Sequence, residues 1–363
     1  MKRAALSARP PRDERIDFWR GLCLFGMVSW HLLTHPSFPR MLAFAVIQPF
    51  NFVAEGFVLL AGVSVGLKIV RAPYAPFVLL RRAGAMLLVN YALVSFVMLL
   101  AAAERSLGLT VQLDAMPRNV WTVLSLSYQP YLADVLSVFV FLFAAAPIFQ
   151  IVYERLGGLG LAAVSTAVFM SASLVPLNAD GAFVFNSWQI FFVAGILFGA
   201  NYETRMAEWK TASNRVLTAW VLVFAAACVV RAFIAGPDGT TLSGWRAYLT
   251  FGRKPLTVAR AFYIGSELMV IALFTARWWQ AISRSFIVAR IIALGRCSLQ
   301  VFVCSVVLDY LLKAACTELR LSFPTNLLVW LVVLIVLFAV ADVLDRRVAA
   351  RRVPLAASEF ATS

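Results

Sequence analysis

Apolar residues in this chain gather into ten runs, near 17–35, 44–67, 78–102, 132–152, 158–176, 183–200, 214–234, 258–276, 289–313 and 324–344. Each approaches the roughly 20 residues that an α-helix needs to cross a hydrocarbon core. The polar stretches between them are too short to hold a soluble domain of any size. The pattern predicts an all-α, polytopic integral membrane protein with about ten transmembrane helices. A basic tail (1–15) leads into a single transmembrane domain (16–345), and a second basic tail follows (346–363). The first run lacks a small-residue cleavage site, and its flank RIDFWRG carries charge into the helix, so it reads as a retained span rather than a signal peptide. Paired Gly/Pro-broken spans, the mark of an inverted-repeat transporter, are not evident.

Composition supports this reading. Of 363 residues 62% are hydrophobic and 14% charged, against about half and about a quarter in soluble domains. The net charge of +14 raises the question of nucleic acid. Its distribution answers otherwise. Lys2, Arg3, Arg9, Arg12 and Arg15 lie in the first tail, and Lys68, Arg71, Arg81 and Arg82 follow the second span. Arg277, Arg284 and Arg290 follow the eighth, and Arg346, Arg347, Arg351 and Arg352 lie in the last tail. With ten spans all four groups fall on one side, which the positive-inside rule makes cytoplasmic, with both termini. The expected partner is therefore the lipid bilayer, and no nucleic acid. Two longer segments, 103–131 and 235–257, fall on the outer side, the second carrying Arg246, Arg253 and Lys254. Cys23, Cys228, Cys297, Cys304 and Cys316 are odd in number and lack paired metal spacing, so neither a disulfide framework nor a metal site is expected.

Ionisable side chains inside a bilayer are costly and face protein-lined cavities with a partner. The candidates here are Asp17, Arg20, His31, Glu55, Asp134, Glu267, Arg296, Asp309 and Asp342. His31 lies about 21 Å along the helix from Asp17. That places it in the outer third of a core about 30 Å thick. Asp134 enters span four at similar depth, and Glu55 lies closer to the midplane. Two readings stand. The three form a general-base arrangement in which a carboxylate orients the imidazole, or they are an interface histidine and two capping acids. Asp17 and Arg20, three residues apart, make a boundary ion pair or a binding site. Arg81 and Arg82 make a positive-inside anchor or a phosphate clamp. Asn51, Trp188 and Gln189 near span ends can hydrogen-bond across helices or bind a sugar. Lys254 is a further substrate-binding candidate on the outer segment.

Several stretches resemble one family. RIDFWRG followed by His31 resembles the first-helix pattern of membrane O-acyltransferases of the acyltransferase-3 superfamily. FNFVAEGFVLLAG, YQPYLADVLSVFVFLFAAAP, NSWQIFFVAGILFG and LGRCSLQVFVCSVVL are similar to successive segments of its OpgC family, associated with succinylation of osmoregulated periplasmic glucans. The matches are spread over residues 15 to 311 in order.

The resemblance implies acyl transfer in the bacterial inner membrane. Acyl-CoA, with succinyl-CoA among the candidate donors, would bind from the cytoplasm, without a metal, and the acceptor would be a hydroxyl of an envelope glycan. His31 matches the catalytic histidine, Glu55 and Asp134 match acidic positions, and Arg81 and Arg82, with Arg20, fall on the donor side. OpgC-like first helices often place Asp before the histidine, where this chain has Trp30. That leaves Asp134 or Glu55 as the expected orienting group. AGVSVGL is also similar to the heparan-glucosaminide N-acetyltransferase-like branch. The alternative function is a multi-span transporter or flippase for a glycan or lipid.

Overall fold

A computed structural model describes residues 13–33, 51–71, 76–106, 120–130, 134–177, 183–235, 256–319 and 323–360. Every long element among them is a helix. In chain order these are α1 (Glu14–Leu33), α2 (Val53–Arg71), α3 (Pro76–Ser106), α4 (Val120–Leu124), α5 (Asp134–Ser171) and α6 (Phe185–Ala200). Then come α7 (Tyr202–Lys210), α8 (Asn214–Ala235), α9 (Val258–Ile282), α10 (Phe286–Arg296), α11 (Ser298–Leu319) and α12 (Phe323–Phe360).

Helices coincide with the expected apolar runs. Five of them (α3, α5, α8, α9 and α12) are long and apolar enough to cross a bilayer, and a sixth span results if α10 and α11, bent by 91° at Cys297, count as one. Of the remaining helices, α1 carries Glu14, Arg15, Asp17 and Arg20 in its first two turns, and α6 has 16 residues. The 38 residues of α5 would measure about 57 Å if straight, nearly twice the hydrocarbon thickness. Gly157, at φ 69°, interrupts it between the expected spans 132–152 and 158–176. A left-handed φ is open to glycine without a Cβ clash, so the break falls where the residue permits it.

Lipid is as apolar as leucine, so membrane helices associate through close packing and hydrogen bonds rather than by hiding apolar surface from water. Two contacts show this directly. Gly62 and Gly66 of α2 face Gly195 and Gly199 of α6. A Cβ on Gly62 would lie 2.0 Å from the Phe192 carbonyl oxygen, and one on Gly195 would lie 2.0 Å from that of Leu59. Each helix therefore reads small-xxx-small toward the other, and their backbones touch. The second contact joins α1 to α10. A Cβ on Gly21 would meet the Ile291 carbonyl at 1.8 Å, and one on Gly295 the Asp17 carbonyl at 1.7 Å.

Buried side chains fill the space around these contacts, with Leu24 of α1, Val58 and Val63 of α2, Leu142 of α5, and Trp188, Phe192 and Ile196 of α6 at the centre. Edge-to-face ring pairs extend the packing, Phe57 on Phe139 at 5.5 Å and Phe143 on Phe192 at 5.8 Å. Hydrogen bonds cross between helices as well. The Trp19 indole donates to Thr275 Oγ1 of α9 at 3.0 Å, and the Trp330 indole of α12 donates to Ser29 of α1 at 3.2 Å.

The close contacts predict a contrast. Gly195→Leu drives a side chain into the α2 backbone and destabilises the fold by about 3 kcal/mol. Gly84→Ala, on α3, meets nothing within 4 Å and leaves the fold unchanged or slightly firmer. Thermal unfolding of the detergent-purified variants, followed by size-exclusion elution, separates the two.

Candidate active site

The polar face of α1 carries Asp17, Arg20 and, further along, His31. The spacing places Arg20, Met27, Val28 and His31 along one stripe of an α-helix. Three adjoining cavities follow this stripe. The first, of about 760 Å³, lies at the N-terminal end of α1. Five bases line it (Arg15, Arg20, Lys68, Arg82 and Lys210), with three acids, Asp13, Asp17 and Glu203. The second, of about 230 Å³, shares Arg20, Ser64 and Arg82 with the first. Apart from Ser298 its other walls are apolar, including Phe57, Met86, Phe139, Phe143, Leu299 and Phe302. The third, of about 20 Å³, shares Phe302 with the second and is lined by Met27, Val28, His31, Ser305, Val306, Asp309 and Val333.

Inside the first cavity the acids hold the bases in place. Arg20 pairs with Asp17 at 3.5 Å and donates to Ser64 Oγ of α2. Arg82 stands over the Phe143 ring at 5.8 Å. At the rim, Asp13 accepts from Arg15 at 2.6 Å and from the Tyr202 hydroxyl at 2.8 Å, tying the start of α1 to α7. Burial alone would push the Asp13 carboxyl up, but the Arg15 and Tyr202 hydrogen bonds outweigh it and hold it below its usual range. Burial and the Asp13 charge push the Tyr202 hydroxyl up, so it remains a donor. Asp13 therefore stabilises this clasp in full above the ordinary carboxylate pKa of about 4. The contribution is lost as pH falls through the lower pKa of the folded state.

The candidate residues divide between this path and the surrounding framework. His31, Arg20 and Arg82 line the path, while Arg81 is exposed beside it. Glu55 is fully buried and engaged elsewhere. It accepts from Arg260 of α9, at 2.6 Å from Nη2 and 2.8 Å from Nε. The same guanidinium reaches the Asn51 carbonyl at 3.5 Å. Asp134 opens α5, where its carboxylate accepts from the Val135 amide at 2.8 Å. The neighbouring Val135 and Leu136 line the second cavity.

Gln189 accepts from the Ser165 hydroxyl at 2.8 Å and donates to the Ser165 carbonyl at 2.7 Å, joining α6 to α5. Trp188 is fully buried with its ring edge-on to Phe183 at 4.6 Å. Lys254 lies outside the described residues. Arg296 binds Glu14 at 2.6 Å and Asp345 at 2.9 Å, and Arg290 binds Asp342, so these charges lock α10 to α1 and α12.

Arg260 escaped the sequence reading. It lies 205 residues from Glu55, one turn into α9 behind the Thr257 cap. The only hint was the unexpected basic charge of the outer segment just before it.

Fold and site together define a polytopic helical membrane protein whose polar groups gather along an interior path. The family model described as OpgC protein matches residues 12–348, nearly the whole chain, and the chain belongs to that family. No curated protein matches it. Family membership implies a membrane enzyme of acyltransferase type that modifies glucans.

Removing one member of a buried ion pair strands the other charge and costs about 3–5 kcal/mol. Arg260→Met therefore lowers the unfolding temperature of the purified protein sharply, and Glu55→Leu combined with it restores most of the loss. A double variant no more stable than Arg260→Met alone would show that the pair does not couple.

Proposed function

We propose that this chain transfers an acyl group from a cytoplasmic acyl-CoA to a hydroxyl of an envelope glucan, across about ten spans with both termini inside the cell. One observation carries the reading. A basic cavity at the N-terminal end of α1 adjoins an apolar one, and that adjoins the cavity of His31, each sharing lining residues with the next. The order suits a CoA thioester, whose charged nucleotide precedes a slender pantetheine arm with the thioester at its tip. Arg20 and His31 are about 16 Å apart along α1, a length that an extended pantetheine arm spans. Arg20, Arg82, Lys68 and Lys210 would hold the phosphates, since guanidinium and ammonium groups bind phosphate oxygens through charge-assisted hydrogen bonds.

His31 is then the general base. Its imidazole takes the proton of the acceptor hydroxyl while that oxygen attacks the thioester carbonyl carbon. The carbon–sulfur bond breaks as the tetrahedral intermediate collapses. The thiolate leaves, the imidazolium returns the proton, and the products are a glucan ester and free CoA thiol. A base placed within reach of the reacting proton contributes about 10²–10⁴-fold.

Two predictions follow from the placement. Envelope glucans from cells carrying His31→Ala lose their acyl substituent by mass spectrometry, while the variant reaches the membrane in normal amount. Retained acylation favours the transporter reading. For the donor, Arg82→Gln weakens CoA binding to the purified protein about tenfold at low salt and less at high salt, because part of the attraction is screened. The exposed Arg81→Gln changes it little. Equal losses at the two positions would remove Arg82 from the donor site.

A further inference from the structure

Of the two expected orienting groups, Glu55 is turned to Arg260 and Asp134, at the start of α5, is not among the residues lining the His31 cavity, while Trp30 carries no charge. The third cavity supplies another group. Helix α11 runs alongside α1 in the same direction. Arg20 and Ser298 line the middle cavity together, and His31 and Asp309 line the outermost together. The same number of residues separates the two positions on each helix. Phe302, Ser305 and Asp309 fall on one face of α11, three and four residues apart, and that face is the one turned to α1. The cavity between His31 and Asp309 is about 20 Å³, room for a single water-sized group. Both Nδ1 of His31 and Oδ2 of Asp309 are buried.

We propose that Asp309 is the positioning residue of His31. Its carboxylate, directly or through one bridging hydroxyl, holds the imidazole in one orientation and stabilises the imidazolium formed when the acceptor hydroxyl is deprotonated. The assignment rests on His31 being the base. No other titratable side chain among the described residues lines this cavity. Lys68 of α2 lines the first cavity, and the ion-paired charges on helices packed against α1 are engaged away from the His31 cavity. Glu55 of α2 binds Arg260, Arg290 of α10 binds Asp342 of α12, and Arg296 of α10 binds Asp345 of α12. A carboxylate that keeps an imidazole oriented acts on turnover, with little effect on how the donor binds far along the path.

The test uses the full-length chain. His31 and His35 are the only histidines, so in a His35→Gln background the rate of His31 modification by diethyl pyrocarbonate reads its protonation against pH. A neighbouring carboxylate favours the imidazolium, so Asp309→Asn is expected to shift the modification midpoint to lower pH and Asp309→Glu to return it. In cells lacking the chromosomal copy, Asp309→Asn is expected to cut glucan acylation about 100-fold. Asp309→Glu should recover at least about a tenth of it, with both proteins at normal level and CoA affinity unchanged. An unshifted midpoint with full acylation in Asp309→Asn overturns the assignment. If Asp309→Asn does not accumulate, the Glu variant decides: a folded Asp309→Glu that acylates no better than His31→Gln and whose midpoint departs from that of the parent overturns it too. Failure of the underlying reading looks different, since His31→Gln would then still acylate.

Discussion

Backbone-to-backbone contact at glycine holds this membrane protein together. In lipid, one apolar helix face gains little by covering another, so a helix pair needs surfaces that fit closely. Gly62 and Gly66 against Gly195 and Gly199 bring α2 onto α6, and Gly21 against Gly295 brings α1 onto α10. The second contact matters most for function. Position 21 directly follows Arg20, so wherever α10 holds α1, it also fixes the direction in which Arg20 points. Through the rigidity of an α-helix it fixes His31, about three turns further on.

Charge then completes what close packing begins. Arg296 and Arg290 tie α10 to α1 and α12 at one end, and Glu55 with Arg260 ties α2 to α9 deep in the fold. Few of these charges stand on the path. With Glu55, Asp342 and Asp345 committed to framework guanidiniums, the charged groups along the path gather at its two ends: the bases and acids of the first cavity, Arg20 and Arg82 among them, at its wide end, and Asp309 and His31 at its narrow end. Between them the walls are mostly aromatic and aliphatic. A path polar at both ends and greasy between suits a molecule with a charged head and a slender, uncharged middle.

Much of this was legible in the chain itself. The apolar runs mark the helices, and the distance from Asp17 marks the depth of His31. The OpgC segments place the chain in the family that its match over residues 12–348 shows. Pairing between distant segments was not legible. Glu55 is an acid inside an apolar run, and depth alone put it near His31. Its partner Arg260 faces it from another direction, which helix periodicity cannot reveal without the packing of α9. Asp309 was visible as a buried acid, but only the parallel course of α1 and α11 brings it opposite His31. Gln189 stood open between a sugar site and an interhelical bond. Two hydrogen bonds to Ser165 show it bridging α5 and α6. The glycine contacts lay in AGVSVGL and VAGILFG, segments that carried family resemblance while their packing role stayed hidden.

The central claim is that one path leads from the basic cavity to His31. The most direct test is a cryo-electron microscopy structure of the full chain in a lipid nanodisc with a nonhydrolysable thioether analogue of an acyl-CoA. The account predicts the phosphates beside Arg20 and Arg82, the pantetheine arm against Phe302, and the thioether sulfur at His31. An analogue bound with its acyl end away from His31, or entering from the opposite face, would contradict it.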